Sequence, residues 1–413
     1  MKCMVPETGI TINPIGELVL CCAGDNVALS HIKDVPDLTE FFNGDIYNKL
    51  REDFKAKQFP KQCDVCWRHW DAGRIARFDS YNRFAFPTYD EDKAAEVTPI
   101  RFLEITTSNI CNQMCVTCSG KYSSKWAPYE KMAVDSGLEW RNENHKFHTE
   151  MYKMTDADVQ KVLDLVPHLQ HLTIKGGEPF ADPNNIKILK KLAETNPKCR
   201  VEICTNFQLV TNTVIDILHQ IEEVHIQASI DGVHEMYDWI RGGNFRKTVN
   251  NIKRYHEVEG RKVIVVSTVS IYNWMHLPEL IDYFIDVPGV PRVSMANLVT
   301  FPKYCSPCWL HKRHIDEGME NLFAYLNSKF EQVDKFYWRH PTLDLSNTNN
   351  VLSVNPEPKD SAFPLYERRQ IQKRMVEWIN FCHVARENNE DIWELAPYLQ
   401  EYKNLPPYML ENY

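Results

Sequence analysis

Between about residues 97 and 300 the chain switches repeatedly between hydrophobic patterning of period 2 and of period 3.6. The first period suits a half-buried strand and the second an amphipathic helix. Their regular alternation is the mark of successive βα units around a parallel sheet. Six stretches have strand character: Ile100 to Thr106, Leu169 to Ile174, Arg200 to Thr205, Val224 to Ile230, Lys262 to Ser270 and Arg292 to Leu298. Helical stretches lie between them. One opens on a capping box, Thr155 and Asp158, and carries Val159, Val162, Leu163 and Val166. Another starts after Asp182-Pro183 with Ile186, Leu189 and Leu192 on one face. Phe245, Val249 and Ile252 mark a third, and Ile315, Met319, Leu322, Phe323 and Leu326 mark one beyond the last strand. Six units are two short of a closed eightfold barrel, so the expected fold is α/β, an open partial (β/α)6 barrel.

Two flanking regions complete the expected division into 1–92, 93–300 and 301–413. The first is a small cysteine-rich module. Gly9-Ile10-Thr11-Ile12 and Glu17-Leu18-Val19-Leu20 read as short strands around an Asn13-Pro14-Ile15-Gly16 turn, with Cys21 and Cys22 at the hairpin's end. Leu38, Phe41, Phe42, Ile46, Leu50 and Phe54 follow a helical period toward Cys63-Asp64-Val65-Cys66. So little apolar sequence would gain stability from a metal. The last region is expected to be a helical extension, with a long loop over 340–363 and a helix carrying Ile371, Met375, Trp378, Ile379 and Cys382.

Charge and cysteine usage narrow the function. The 47 basic and 56 acidic residues give a net charge of -9, which supplies no electrostatic reason for non-specific nucleic-acid binding. Only Arg74, Arg77 and Arg83 form a local basic patch, and they suit a solvated helix face equally well. No apolar run approaches the roughly 18 residues of a membrane span, and the first residues lack the apolar core of a signal peptide. The expected location is the cytoplasm, without membrane attachment. Thirteen cysteines in such a chain speak for metal or redox chemistry rather than disulfides. No HExxH spacing occurs, and nothing in the sequence supports a hydrolase.

Directly after the first barrel strand comes Cys111-Asn112-Gln113-Met114-Cys115-Val116-Thr117-Cys118, a CxxxCxxC. Spacings this short let one loop wrap three thiolates around one centre, and three ligands on a four-iron cubane leave one iron open. A zinc site is the competing reading, although zinc motifs favour paired CxxC and a fourth ligand. The next strand ends in Lys175-Gly176-Gly177-Glu178-Pro179, whose glycines permit close approach to the backbone and whose carboxylate can accept from an ammonium. It falls on the rim where βα folds bind ligands.

With these two motifs in this order, residues 97 to 300 resemble the radical S-adenosylmethionine (SAM) superfamily, whose fold is a partial (β/α)6 barrel. The resemblance implies that Cys111, Cys115 and Cys118 hold a [4Fe-4S] cluster whose open iron is chelated by SAM. It places Gly176, Gly177, Glu178 and Pro179 toward the SAM amino group. Thr205 and Asn206 end the third strand on the same rim. Gln227-Ala228-Ser229-Ile230-Asp231-Gly232, followed by Tyr237 to Gly242, looks like the family's fourth-strand stretch, with Ser229, Asp231 and Arg241 as candidates for SAM binding. One departure is Thr117, where the family usually has an aromatic residue.

Cys3, Cys21, Cys63 and Cys66 make a four-thiolate set whose spacing fits zinc or an iron-sulfur cluster. The sequence around them resembles a twitch domain, the shortened relative of the SPASM domain, which implies an auxiliary iron-sulfur cluster, with Cys22 as the alternative to Cys21. Cys305-Ser306-Pro307-Cys308 is a further CxxC, read as two surface thiols, and Cys204 ends a strand where it can point into the barrel. The resemblance implies reductive cleavage of SAM to a 5'-deoxyadenosyl radical that abstracts a hydrogen atom from substrate. Its implied partners are an electron donor such as flavodoxin or ferredoxin and a peptide substrate, with a small metabolite as the alternative. The competing class is a non-catalytic iron-sulfur or zinc protein.

Overall fold

Period-2 segments that are apolar on one face form strands here, and they add to one another in chain order. The computed structural model describes residues 3–22, 27–60, 63, 66, 100–137, 151–299, 305–307, 310 and 312–329. The six expected barrel strands all form: β4 (Phe102–Ile105), β5 (His171–Ile174), β6 (Arg200–Thr205), β7 (Val224–Ser229), β8 (Val263–Val269) and β9 (Val293–Leu298). Each pairs in parallel with the next. The hairpin strands β1 (Gly9–Ile12) and β2 (Glu17–Val19) flank the expected turn, and β3 (Ala28–His31) extends them. β1 lies parallel to β4 in register from Gly9 opposite Phe102 to Ile12 opposite Ile105. The cysteine-rich module therefore continues the barrel's own sheet, which runs β3-β2-β1-β4-β5-β6-β7-β8-β9. The hairpin needs Gly16, which has φ +80°, and an added Cβ there would stand 2.5 Å from the Tyr152 ring.

Helices bury the apolar face of this sheet. In chain order they are α1 (Val5–Thr8), α2 (Leu38–Asn43), α3 (Asp45–Lys55), α4 (Ala127–Asp135), α5 (Asp156–Leu165), α6 (Pro183–Thr195), α7 (Asn212–His219), α8 (His234–Arg241), α9 (Phe245–Glu257), α10 (Leu277–Phe284) and α11 (Lys312–Ser328). The Thr155–Asp158 capping box is present at α5, and Asp182 caps α6 by accepting from the Asn184 amide. Leu103, Ile105, Leu172, Ile174, Val201, Ile203 and Ile226 share one buried core with Val162, Leu189, Leu218, Ile252 and Leu280 from the helices. The opposite, concave face is mainly polar on the first four barrel strands, while β8 adds Ile264 and Val266 to it. Glu104, Thr173, Glu202 and His225 stand in register across four strands, and Cys204 stands opposite Gln227. Lys175 reaches back to Glu104 with Nζ–Oε1 of 2.9 Å.

Several expectations lie outside the described residues: the 340–363 loop, the helix near Ile371, Cys308, Cys382 and the Arg74, Arg77 and Arg83 patch. Among the described residues no helix is long and apolar enough to cross a membrane.

His171 sits on the concave face with only 4% of its surface exposed, edge-on to Phe102. Burial lowers its pKa to about 4, outweighing the Glu202 carboxylate 3.7 Å away. The unfolded chain then takes up this proton first, so the folded state loses stability as pH falls from about 6.5 to about 4. Over that window the loss from this one residue is roughly 3 kcal/mol. In urea titrations at successive pH values, the slope of stability against pH in this interval is expected to be shallower in His171→Gln than in the wild type.

Candidate active site

The loop leaving β4 carries the three barrel cysteines, and its position is fixed by short polar side chains at its base. The Thr107 and Ser108 hydroxyls both donate to Asp182 Oδ2, each at 2.6 Å. Asn109 Nδ2 donates to the Gly120 carbonyl at 2.7 Å, and the Ser124 amide returns to the Asn109 carbonyl at 2.7 Å. The Ser123 hydroxyl donates to the Gln113 carbonyl at 2.7 Å, and Trp126 Nε1 donates to the Cys115 carbonyl at 2.9 Å. Residues 107 to 126 thus close on themselves as a loop with the cysteines inside it.

Within the loop the Gln113 amide points at Cys111 Sγ, 3.4 Å away, and the Cys118 amide donates to the Cys115 carbonyl at 3.0 Å. The three thiols are within electrostatic reach of one another: Cys111 and Cys115 both disfavour a charge on Cys118. Burial pushes the Cys115 thiol up to about 11 and raises Cys111 and Cys118 as well. Three neighbouring sulfurs that resist ionisation on their own fit a thiophilic metal centre, whose positive charge would stabilise the thiolates. Among the described residues no three His, Cys, Asp or Glu side chains converge on the position of a single ion. A cubane has a different requirement, since each of its thiolates binds a separate iron.

The Gly-Gly-Glu segment packs straight onto this loop. A Cβ on Gly177 would stand 2.2 Å from the Ile110 carbonyl oxygen and 2.7 Å from that of Asn109, and one on Gly176, at φ +126°, would meet the Thr106 methyl at 2.4 Å. The close approach that these glycines allow is therefore made by the chain's own cysteine loop, and the space a ligand would need over the Gly177 α-carbon is filled. The Glu178 amide donates to the Ile110 carbonyl at 2.8 Å. The Glu178 carboxylate is 1% exposed. It accepts from Thr205 Oγ1 at 2.6 Å, the Asn206 amide at 2.7 Å and the Phe180 amide at 3.1 Å. Burial raises its carboxyl above the usual range, against the pull of those bonds. Pro179 opens the next turn, and its carbonyl accepts from Asn185 at 3.1 Å.

The other rim residues join the same assembly. Asn206 Nδ2 donates to Asn112 Oδ1 at 2.8 Å, linking the end of β6 to the cysteine loop. Asp231 is buried, accepting from the Thr268 amide at 2.7 Å through Oδ1 and from Arg241 Nη1 at 2.5 Å through Oδ2. Burial opposes the Arg241 charge, but its surroundings, the paired Asp231 carboxylate among them, hold the guanidinium protonated. Its carbonyl oxygen lies 3.5 Å from Cys115 Sγ. Ser229 is half-buried at the end of β7 on the concave face, in register with Val266.

Sequence reasoning missed the residues that hold the loop from behind. Tyr237 OH accepts from Gln113 at 3.2 Å and from Gln208 at 3.4 Å, and it shares a hydrogen bond with Thr248. Asp182, Gln113, Gln208 and Trp126 carry no motif of their own. Their only signal was position, next to the cysteines or at the ends of strands. Cys305, expected as a surface thiol, is instead fully buried: Tyr272 OH lies 3.3 Å from its sulfur, which faces the Val116 carbonyl at 3.8 Å. Tight packing of this segment against the cysteine loop is the reason. Cys204 is half-buried on the concave face and donates to Gln227 Oε1 at 3.4 Å. In the N-terminal module burial first, and then the nearby Cys66, push the Cys3 thiol up to about 12. Cys21 and Cys63 pack against the same core.

The Radical SAM superfamily model matches residues 105–284, and a model of an iron-sulfur cluster-binding domain (SPASM) matches residues 3–67. No curated protein matches the chain. Solved structures similar to it include Streptococcus suis SuiB bound to S-adenosylmethionine. That likeness has 18% identity and a TM-score of 0.36, covering 55% of this chain and 45% of that one. Another is anSMEcpe with bound AdoMet, at 18% identity and a TM-score of 0.39, covering 56% and 62%. A third is TYW1 with a lysine-pyruvate adduct bound, at 14% identity and a TM-score of 0.32, covering 64% and 90%. The chain thus spans less than two thirds of the first two structures.

Gly177→Ala forces a Cβ against backbone that has no side chain to move aside. The apoprotein is expected to lose about 1–3 kcal/mol in urea denaturation, and the barrel site should take up less iron on reconstitution than in the wild type.

Proposed function

The chain belongs to the radical SAM superfamily and carries an iron-sulfur cluster-binding domain at its N-terminal side, and from that premise we propose that it modifies a peptide or protein by hydrogen-atom abstraction. As a radical SAM enzyme it has a [4Fe-4S] cluster and SAM as cofactors, with an auxiliary iron-sulfur cluster in the N-terminal domain. The barrel cluster, when reduced with SAM bound, supplies a 5'-deoxyadenosyl radical, and the protein's part is to bind, orient and shield.

The observation that carries this reading is the gathering of Cys111, Cys115 and Cys118 in one loop on the C-terminal rim of a partial barrel, with Cys115 buried and the other two partly so. We assign these three sulfurs to the SAM-binding cluster and Cys3, Cys21, Cys63 and Cys66 to the auxiliary one. The rim beside the loop takes SAM. Ser229 has its hydroxyl on the concave face, and Arg241 has donors beyond the two used on Asp231 and Gln113. The backbone of Gly176 to Pro179 supports that site from behind, since the cysteine loop itself covers the Gly177 α-carbon. Glu178, Thr205 and Asn206 are bound to one another or to the loop, and Asp231 to Thr268 and Arg241, so their role in this scheme is to fix the rim rather than to grip the cofactor by all their oxygens.

A peptide substrate is supported by the company that SPASM and twitch modules keep in related enzymes and by the concave face below the rim. Lys175, Glu202, Cys204 and Gln227 line it with donors and acceptors suited to amide groups. One-electron reduction falls to a carrier such as flavodoxin or ferredoxin, in the reducing cytoplasm.

Anaerobic reconstitution is expected to give about eight irons per chain, four for each cubane. Dithionite and SAM should then release 5'-deoxyadenosine. Cys115→Ala should abolish that product and bring iron down to about four, while Cys66→Ala should lose iron from the other domain. Tightly bound zinc with no SAM cleavage would leave a metal-binding scaffold in place of an enzyme.

A further inference from the structure

Helix α4 is amphipathic in the wrong sense. Its buried side chain is Glu130, whose carboxylate accepts from the Gly120 amide, while Tyr129, Met132 and Val134 are 54%, 64% and 46% exposed. Ile110 and Tyr122 add 43% and 37% exposure from the cysteine loop itself. Five of the eight exposed large hydrophobic residues among the described ones thus fall between positions 110 and 134. A helix that hides a carboxylate and shows an aromatic ring and a thioether is not stabilised by that arrangement. Apolar surface gathered in one place marks an interaction site.

Charge indicates the kind of partner. From Ser119 to Asp135 the chain has Lys121, Lys125 and Lys131 against the buried Glu130 and the exposed Asp135, which pairs with Lys131 at 3.2 Å, in a protein whose net charge is -9. Lys125 and Lys131 are exposed, and Lys121 lies over the Tyr122 ring, 5.5 Å from its centroid. Basic and exposed apolar side chains thus share one short stretch of chain, a composition complementary to an acidic protein surface. Position indicates the purpose. Tyr129 is 6.0 Å from the Trp126 ring, centroid to centroid, and Trp126 Nε1 is hydrogen-bonded to the Cys115 carbonyl. The patch is therefore joined through two aromatic rings to the loop that bears the sulfurs.

We propose that the face formed by Ile110, Tyr122, Tyr129 and Met132, together with Lys121, Lys125 and Lys131, is the docking surface for an acidic one-electron carrier protein, flavin-bearing or iron-sulfur-bearing. The proposal rests on the reading of the barrel site as a reducible cluster. The carrier donates one electron, its own centre is oxidised by one, and the cluster is reduced by one. A transient redox interface is small, so a modest patch suffices, and steering by opposite charge sets the encounter rate.

The experiment follows bleaching of the reconstituted holoprotein in stopped flow with two reductants. One is photoreduced flavodoxin hydroquinone, and the other is photoreduced deazariboflavin, which is small and uncharged. At low ionic strength the double variant Lys125→Glu/Lys131→Glu should be reduced by flavodoxin at least about tenfold more slowly than the wild type. Added salt should slow the wild type toward the variant. The deazariboflavin rate should be the same in both. Rates are compared at equal iron content, and Lys131→Gln, a neutral change on the outer helix, gives a smaller loss of the same kind if the double variant binds less iron. An unchanged flavodoxin rate in both variants overturns the proposal. So does a sedimentation mass that depends on Tyr129 and Met132 while Tyr129→Ser/Met132→Ser leaves the flavodoxin rate intact, since the face then seats a second copy of the chain. If the wild type cleaves SAM with dithionite but shows no dependence on these lysines, the docking surface fails and the enzyme reading stands. With no SAM cleavage at all, the enzyme reading itself fails.

Discussion

A buried carboxylate with three donors on it holds the functional end of the barrel together. Glu178 leaves the end of β5, its amide is bonded to Ile110 in the cysteine loop, and its oxygens take the hydroxyl of Thr205 and the amide of Asn206 at the end of β6. Three segments that the sheet leaves as separate loop ends are thereby tied at one point. Burying the carboxylate is costly, and its hydrogen bonds are what make that cost tolerable. Gly177 completes the arrangement from the other side, because only an α-carbon without substituent lets the two backbones touch.

The sulfurs lie between this clamp and a second one. The end of α8 presses on the cysteine loop: the Val116 amide donates to the Ile240 carbonyl at 2.8 Å, and Gly242, at φ +60°, lies against the backbone of Met114. Arg241 is carried on that helix end. Its pairing with Asp231 connects the helix to the turn after β7, and through the Thr268 amide to β8. Four consecutive βα units thus contribute to the surroundings of one loop, while the polar atoms that do so are mutually satisfied. A reactive centre in such surroundings is held by rigid elements, which is what precise positioning of a cofactor requires.

How far the sequence disclosed this depended on the kind of information involved. Local periodicity marked all six barrel strands to within a residue or two at each end, because alternation on β6 and β8 follows directly from a sheet with one face buried. Periodicity says nothing about which strand lies beside which. The parallel pairing of β1 with β4 joins segments some ninety residues apart in sequence, so the continuity of the hairpin with the barrel was not legible. β3 was missed because it is a partly exposed edge strand, and α4 because its apolar residues point the wrong way for a helical face. At the site, the cysteines and Gly-Gly-Glu announced themselves by spacing. Tyr237, Gln113 and Asp182 did not, since a tyrosine, an amide or an acid becomes part of a site only through partners that folding brings to it.

The two faces of the sheet also show why alternation in such a barrel carries functional information. On β6 the residues pointing into the helical core are Val201 and Ile203, while Glu202 and Cys204 face the concave side. On β7, Ile226 and Ala228 are buried, and His225, Gln227 and Ser229 are only partly so. A strand covered by helices on one side and by solvent on the other would read in the same way, so polarity alone does not identify a binding surface. Here the concave rows lead upward, through Lys175 and Ser229, to the rim where the cysteine loop sits. Under the proposed function, donors and acceptors in rows beneath the cysteine loop would give a substrate a fixed orientation relative to it, and in a hydrogen-abstraction reaction that orientation decides which atom is attacked.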